Sequence, residues 1–139
     1  MRIPIFNVKN CPSFKKCTLT YGHFNSVHPG HIRYLKNAAS KGESLVVALL
    51  PDTFEGNKKS YKFSQLERAE GLTAINIVDG ILLLGDEQNA LENAINKLKP
   101  NLLVLGKEFE NTDDKEIIRI INSMKQQGLK VHFDAGEIR

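Results

Sequence analysis

The apolar positions of this chain change period several times, and each change marks an element. Residues 1–15 carry no period; Pro4, Pro12 and the Lys9-Asn10 pair read as an irregular N-terminal arm or the end of a linker. Cys17-Thr18-Leu19-Thr20-Tyr21 is a short β-prone run that ends at Gly22. Ile32, Leu35, Ala38 and Ala39 then recur at helical spacing, with Gly42 as a C-terminal stop. Ser44–Leu50 is almost continuously apolar, as a parallel strand covered on both faces must be. The polar stretch 51–62, with Gly56 and three lysines, reads as a loop. Ser64-Gln65-Leu66-Glu67 has the spacing of a capping box and opens a second helix to about Asn76. Ile81–Leu84 is a third strand, and Leu91, Ala94, Ile95 and Leu98 stripe a third helix. Asn101–Leu105 is a fourth strand. Ile117, Ile118, Ile121 and Met124 stripe a fourth helix stopped by Gly128, and Val131–Phe133 is a fifth, short strand.

Strands alternating with helices predict an α/β fold with right-handed crossovers. The expectation is one Rossmann-like domain over residues 16–139, a five-stranded parallel sheet flanked by helices. Ligands of such sheets sit outside the carboxyl ends of the strands. The loops 22–30, 51–62 and 106–111 should therefore wall any site.

Composition narrows the classes of partner. A chain of 139 residues suits one core, and 41% hydrophobic with 25% charged residues is ordinary for a globular domain. The net charge of +3 is spread along the chain, so no nucleic-acid partner is expected. No apolar run approaches 18 residues and no cleavable leader is evident, so no membrane partner and a cytoplasmic location are expected. Cys11 and Cys17 lack Cys or His at zinc spacing and read as free thiols.

The chemistry concentrates in Gly22-His23-Phe24-Asn25-Ser26-Val27-His28-Pro29-Gly30-His31, directly after the first strand. Two histidines three apart at a helix start share a side. Pro29 fixes the backbone, and Gly30 allows close approach to a ligand. The helix N-terminus adds free N–H groups and the positive end of its dipole. Imidazole donors beside such amides suit a phosphate that gains negative charge. His23 and, on the last strand, His132 also admit a purely structural reading. Arg68 could simply pair with Glu67, Glu70 or Asp79, and the lysines of 57–62 could be a solvated loop. Asp86-Glu87 fits the acid preference of a helix start, and no metal ligand is assigned.

The pattern Gly-x-Phe-x-x-x-His-x-Gly-His, in its setting of strand, glycine turn and helix, resembles the signature of the cytidylyltransferase-like nucleotidyltransferases. The likeness continues through Ile32–Ala38, through Arg68 ahead of Val78-Asp79, and through Lys99–Gly106; it spans residues 17 to 134. It implies transfer of a nucleoside monophosphate, CMP in the first instance, from a nucleoside triphosphate to a sugar- or polyol-phosphate, with Mg²⁺ brought by the triphosphate. His28 and His31 would contact the triphosphate and stabilise the transition state at the α-phosphorus. Gly22 and Phe24 would shape the phosphate turn, which Tyr21, His23, Asn25 and Gly30 share. Asp52 would lie by the acceptor or the ribose, and Lys58 or Lys59 would neutralise phosphates. Arg68 would reach in from the second helix, and Gly106, Lys107 and Glu108 would border base and ribose. The resemblance also implies a homodimer.

The sequence departs from the family at particular places. Asn25 stands where an acid is usual, and Gly106-Lys107 where Gly-Asp or Gly-Glu is usual. The family's Ser/Thr turn, which grips the triphosphate, would begin about where the chain reads Gly136-Glu137-Ile138-Arg139. A trimmed chain or a piece of a protein with further domains is expected, with weaker triphosphate binding and turnover. An adenylyltransferase, or a non-catalytic nucleotide-binding domain of a larger protein, remain the alternatives.

Overall fold

The computed structural model describes residues 3–14, 16–22, 24, 29–40, 44–51 and 64–134, without the side chains of 29–31, 108 and 134. Six strands alternate with four helices in the order β1 (Ile5–Phe6), β2 (Cys17–Gly22), α1 (Pro29–Ala39), β3 (Ser44–Leu49), α2 (Gln65–Thr73), β4 (Gly80–Leu83), α3 (Ala90–Leu98), β5 (Leu102–Gly106), α4 (Lys115–Gln126) and β6 (Lys130–Asp134). A single 3-10 turn, Lys107–Phe109, follows β5. All pairings are parallel, and the sheet runs β1-β4-β3-β2-β5-β6.

The apolar strands are explained by two-sided burial. Leu45, Val47 and Leu49 pack with Tyr34, Leu35 and Ala38 of α1 and Ala69 and Leu72 of α2. Their neighbours Val46, Ala48 and Leu50 face the opposite way, into a cluster with Leu91, Ala94 and Leu98 of α3 and Ile117, Ile120 and Met124 of α4. A strand that alternates between two cores has no polar face to show.

The helix starts follow their caps. Pro29 opens α1, where its missing N–H is harmless. At α2 the Ser64 hydroxyl accepts from the Glu67 N–H at 3.2 Å, and the Ser64 N–H donates to Glu67 Oε1 at 3.1 Å. Asp114 Oδ1 accepts from the Ile117 N–H at 3.2 Å and caps α4. Asn89 precedes α3 with φ 63 and makes no side-chain cap; the Glu116 carboxylate of α4 accepts the Glu92 N–H instead, at 3.0 Å.

Several expectations need correction. The arm contributes β1, a sixth strand at the edge beside β4, with Ile5 opposite Ile81 and Phe6 opposite Leu82. Two residues are too short a run for periodicity to register. Burial of Phe6, 4% exposed, fixes them, and its ring lies 5.7 Å from that of Phe14. A Cβ at Gly80 would come within 2.7 Å of Phe14, so a glycine there lets the arm lie close. Helix α2 ends at Thr73 rather than near Asn76. On α4 the buried residues are Ile117, Ile120 and Met124, whereas Ile118 is 39% exposed, because a step of one residue turns it by about 100° from Ile117. Gly128 ends α4 as expected, with φ 74. The Gly42 stop lies outside the described residues.

Both cysteines are free thiols. Burial, followed by the neighbouring Cys11 and Asp79, pushes the Cys17 thiol up to about 12 from an ordinary 9.0. Burial also raises Cys11, against an opposing pull from Lys97. A thiol that holds its proton more tightly when folded contributes its full stability below about pH 9 and loses it as pH rises toward 12.

Two outcomes follow from this packing. Phe6→Ala should lower unfolding free energy by about 3 kcal/mol in urea titrations; a change below about 1 kcal/mol would mean that the arm is loosely attached. Alkylation of the native protein near pH 8, read by mass spectrometry, should label Cys11 and leave Cys17 untouched. Equal labelling would contradict the burial of Cys17.

Candidate functional site

The strand order contains one reversal. From central β2 the chain moves outward through β3 to β4, then crosses back to place β5 on the other side of β2. The crossovers from β2 and β5 thus run to opposite sides of the strand order, and the carboxyl edge at such a reversal is where parallel α/β sheets take ligands. Gly22 ends β2 and Gly106 ends β5, so Gly22 and the 3-10 turn Lys107–Phe109 lie at this edge.

Phe24 sits in the turn with φ 48, a left-handed conformation that costs a side-chain-bearing residue about 1–2 kcal/mol. Its buried ring offsets that strain. It packs 6.3 Å from the Tyr34 ring and over Gly22, where an added Cβ would meet the ring at 3.1 Å. Phe24 is thus anchored in the core, and Gly22 makes room for its ring. Tyr34 in turn donates its hydroxyl to the Val104 carbonyl of β5 at 2.9 Å, which ties α1 across the reversal. Gly30 and His31 lie in the first turn of α1 at backbone level, and the side chain of His31 is outside the described set. His23, Asn25, His28, Asp52, Lys58 and Lys59 lie outside the described residues, as do 135–139. Lys107 is exposed at the start of the 3-10 turn.

Arg68 is 3% exposed, and its Nη2 donates to the Leu50 carbonyl at 2.9 Å, at the carboxyl end of β3. Its guanidinium therefore lies at the carboxyl edge of the sheet. Asp79, one alternative partner, belongs to the opposite edge, where its carboxylate accepts the Leu45 N–H at 2.8 Å. Next to Arg68, Gln65 Nε2 donates to the carbonyls of Leu49 and Leu84, both at 2.9 Å. Periodicity could not single out Gln65, because its targets are backbone atoms on two other strands.

A cleft of about 720 Å³ opens beside Tyr21 on the α3/α4 side of the same edge. Leu50, Pro51, Leu84 and the segment Gly85–Glu92 wall it, with Asp114, Glu116 and Arg119 from α4. The Tyr21 ring lies 5.9 Å from that of Phe109, so the tyrosine joins this cleft to the exit of β5. Among the described residues five carboxylates line the cleft against one cation. That cation, Arg119, donates to Glu92 Oε1 at 3.1 Å and to Asn89 Oδ1 at 2.8 Å. The hydrogen bond to Glu92 raises the guanidinium above its ordinary pKa. Asp86 and Glu87 are exposed on the cleft wall ahead of α3 rather than in its first turn. Among the described residues no group of three or more His, Cys, Asp or Glu is placed to hold a metal ion. No helix among them is long and apolar enough to cross a membrane.

Comparison with known proteins agrees with this geometry. The family model described as cytidylyltransferase-like matches residues 19–136. The chain belongs to the cytidylyltransferase-like family. It is 36% identical over 108 residues to the bifunctional protein HldE of Campylobacter curvus, covering 75% of this chain and 22% of that protein. The chain thus spans about a fifth of the length of these HldE relatives. It is 31% identical over 116 residues to the FAD synthase of Ferroglobus placidus, covering 84% of this chain and 72% of that protein. The lipopolysaccharide core biosynthesis protein of Thermoplasma volcanium superimposes with a TM-score of 0.65 at 23% identity, over 84% of this chain and 92% of that one. That match shows the fold.

The buried guanidinium of Arg68 leads to a stability prediction. Arg68→Met should lower unfolding free energy by roughly 1–3 kcal/mol without any ligand present, since it strips the Leu50 carbonyl of its donor. A loss under about 0.5 kcal/mol in urea titration would show that another donor serves that carbonyl.

Proposed function

We propose that this chain is a nucleotidyltransferase that moves a nucleoside monophosphate from the Mg²⁺ complex of a nucleoside triphosphate to a phosphorylated polyol or sugar. An acceptor phosphate oxygen attacks the α-phosphorus, the bond from that phosphorus to the bridging oxygen of the β-phosphate breaks, and pyrophosphate leaves with the electron pair. The acceptor is already ionised, so no general base is needed, and the work is positioning and charge stabilisation. The observation that carries the reading is the Gly22–His31 segment, which leaves central β2 beside the strand-order reversal and enters α1 at Pro29.

His28 and His31 donate to the triphosphate and to the charge that grows on it in the transition state. Lys58 and Lys59 screen the phosphates, Asp52 borders the acceptor or ribose, and Gly106, Lys107 and Glu108 border base and ribose. The acceptor extends into the cleft beside Tyr21. The carboxylates of that cleft accept hydrogen bonds from hydroxyls and repel a phosphate. The acceptor's phosphate therefore lies toward the histidines and its hydroxyl-bearing part toward Gly85–Glu92. CTP is the donor that the signature segment favours. A specific observation favours a second reading with ATP: the likeness to a FAD synthase, whose product carries an adenylate, covers most of that protein.

Turnover with CTP and ATP, each against a panel of sugar and polyol monophosphates and scored by pyrophosphate release, tests the reaction and selects the base. His28→Ala and His31→Ala should each lower the rate by roughly 10²–10³-fold while the thermal midpoint holds. Undiminished turnover in both variants would remove the histidines from the site. Nucleotide binding with no pyrophosphate release from any pair would instead favour a non-catalytic nucleotide-binding domain.

A further inference from the structure

We infer that Gln65 is a positioning residue for the acceptor side of the site, replacing a ladder hydrogen bond that Pro51 cannot make; this role in acceptor binding rests on the function proposed above. The β3–β4 ladder pairs Leu49 with Leu83, and the Leu84 N–H donates to the Leu49 carbonyl at 3.0 Å. In a parallel ladder the next rung on this side comes from the N–H of residue 51 to the carbonyl of Leu84. Residue 51 is proline and has no N–H. The Leu84 carbonyl accepts from Gln65 Nε2 instead, at 2.9 Å, and the same nitrogen reaches the Leu49 carbonyl at 2.9 Å.

The substitution changes what the hydrogen bond does. A backbone rung would extend the sheet and keep β3 and β4 side by side. A side-chain amide from α2 instead closes the ladder at Leu84 without extending the sheet through Pro51. Two branches wall the cleft: Leu50 and Pro51 on one side, Leu84 and Gly85–Asn89 on the other. Gln65 thus fixes the width of the cleft mouth without lining it. The capping box formed by Ser64 and Glu67 holds the first turn of α2, and Arg68 pins the same turn to the Leu50 carbonyl. The amide is therefore presented from a rigid base. Helix α1 follows β2, one strand further from β4, so the effect should fall on the acceptor and spare the triphosphate.

The experiment compares Gln65→Leu, Pro51→Ala and the double variant in the full chain. The readouts are amide hydrogen exchange and steady-state kinetics with the triphosphate and acceptor pair that the panel above selects. Gln65→Leu should speed exchange across Gly85–Asn89 and raise the acceptor KM by roughly tenfold, the effect of one or two net hydrogen bonds. The triphosphate KM and kcat should stay within about twofold. Adding Pro51→Ala supplies the missing N–H, and should return both exchange and acceptor KM toward the parent values. Four results would overturn the inference: unchanged exchange at Gly85–Asn89, equal increases in both KM values, a lower thermal midpoint with an unaltered acceptor KM, or a Gln65→Leu protein that fails to fold and is not restored by Pro51→Ala. Absence of turnover in the parent protein with every pair would sink the transfer reaction and with it the role in acceptor binding, while the exchange data would still decide the ladder replacement.

Discussion

At the carboxyl edge of a parallel sheet each strand leaves carbonyls that the ladder no longer pairs, and here side chains of α2 take two of them. Gln65 holds Leu84 and Arg68 holds Leu50, while Gln65 also reaches the Leu49 carbonyl that the Leu84 N–H already pairs. Buried carbonyls without donors are expensive, so the edge can remain open to a ligand only if something other than the sheet satisfies them. Helix α2 does so from one side, which leaves the cleft beside Tyr21 accessible. The opposite edge is closed more cheaply, with Asp79 joined to Leu45 by reciprocal backbone and carboxylate hydrogen bonds of 2.8 Å.

The same edge divides electrostatically. One flank carries the N-terminus of α1, whose positive dipole end favours an anion. The other is lined by carboxylates, with Arg119 already committed to Glu92 and Asn89. An overall charge of +3 conceals this division, because a sum over the chain carries no positions. A reaction that joins a triphosphate to a hydroxyl-rich acceptor has use for both flanks.

Much of the candidate site is proposed from the sequence because its residues are contiguous. The Gly22–His31 segment announces itself, and strand-helix alternation places it at the ligand edge of the sheet. Arg68 is named by its resemblance to the family's helix arginine, whereas its hold on the Leu50 carbonyl has no sequence signal. Gln65, Asn89 and Arg119 escaped notice, since each acts on residues more than fifteen positions away. Phe24 was placed in the phosphate turn for its position; its ring proves to be a core anchor whose strain the packing offsets.

By itself the sequence determined the parallel α/β class, the alternation of strands and helices from Cys17 onward, the capping box at Ser64 and the family. These depend on local periodicity and on residues close in the chain, where spacing converts directly into geometry. Tertiary structure alone decided that Ile5 and Phe6 form an edge strand, that Ile118 faces solvent while Ile120 does not, and that a side-chain amide replaces the rung lost at Pro51. Those outcomes depend on which surfaces meet across the sheet, and two strands paired at a distance of more than seventy residues leave no period for the sequence to display.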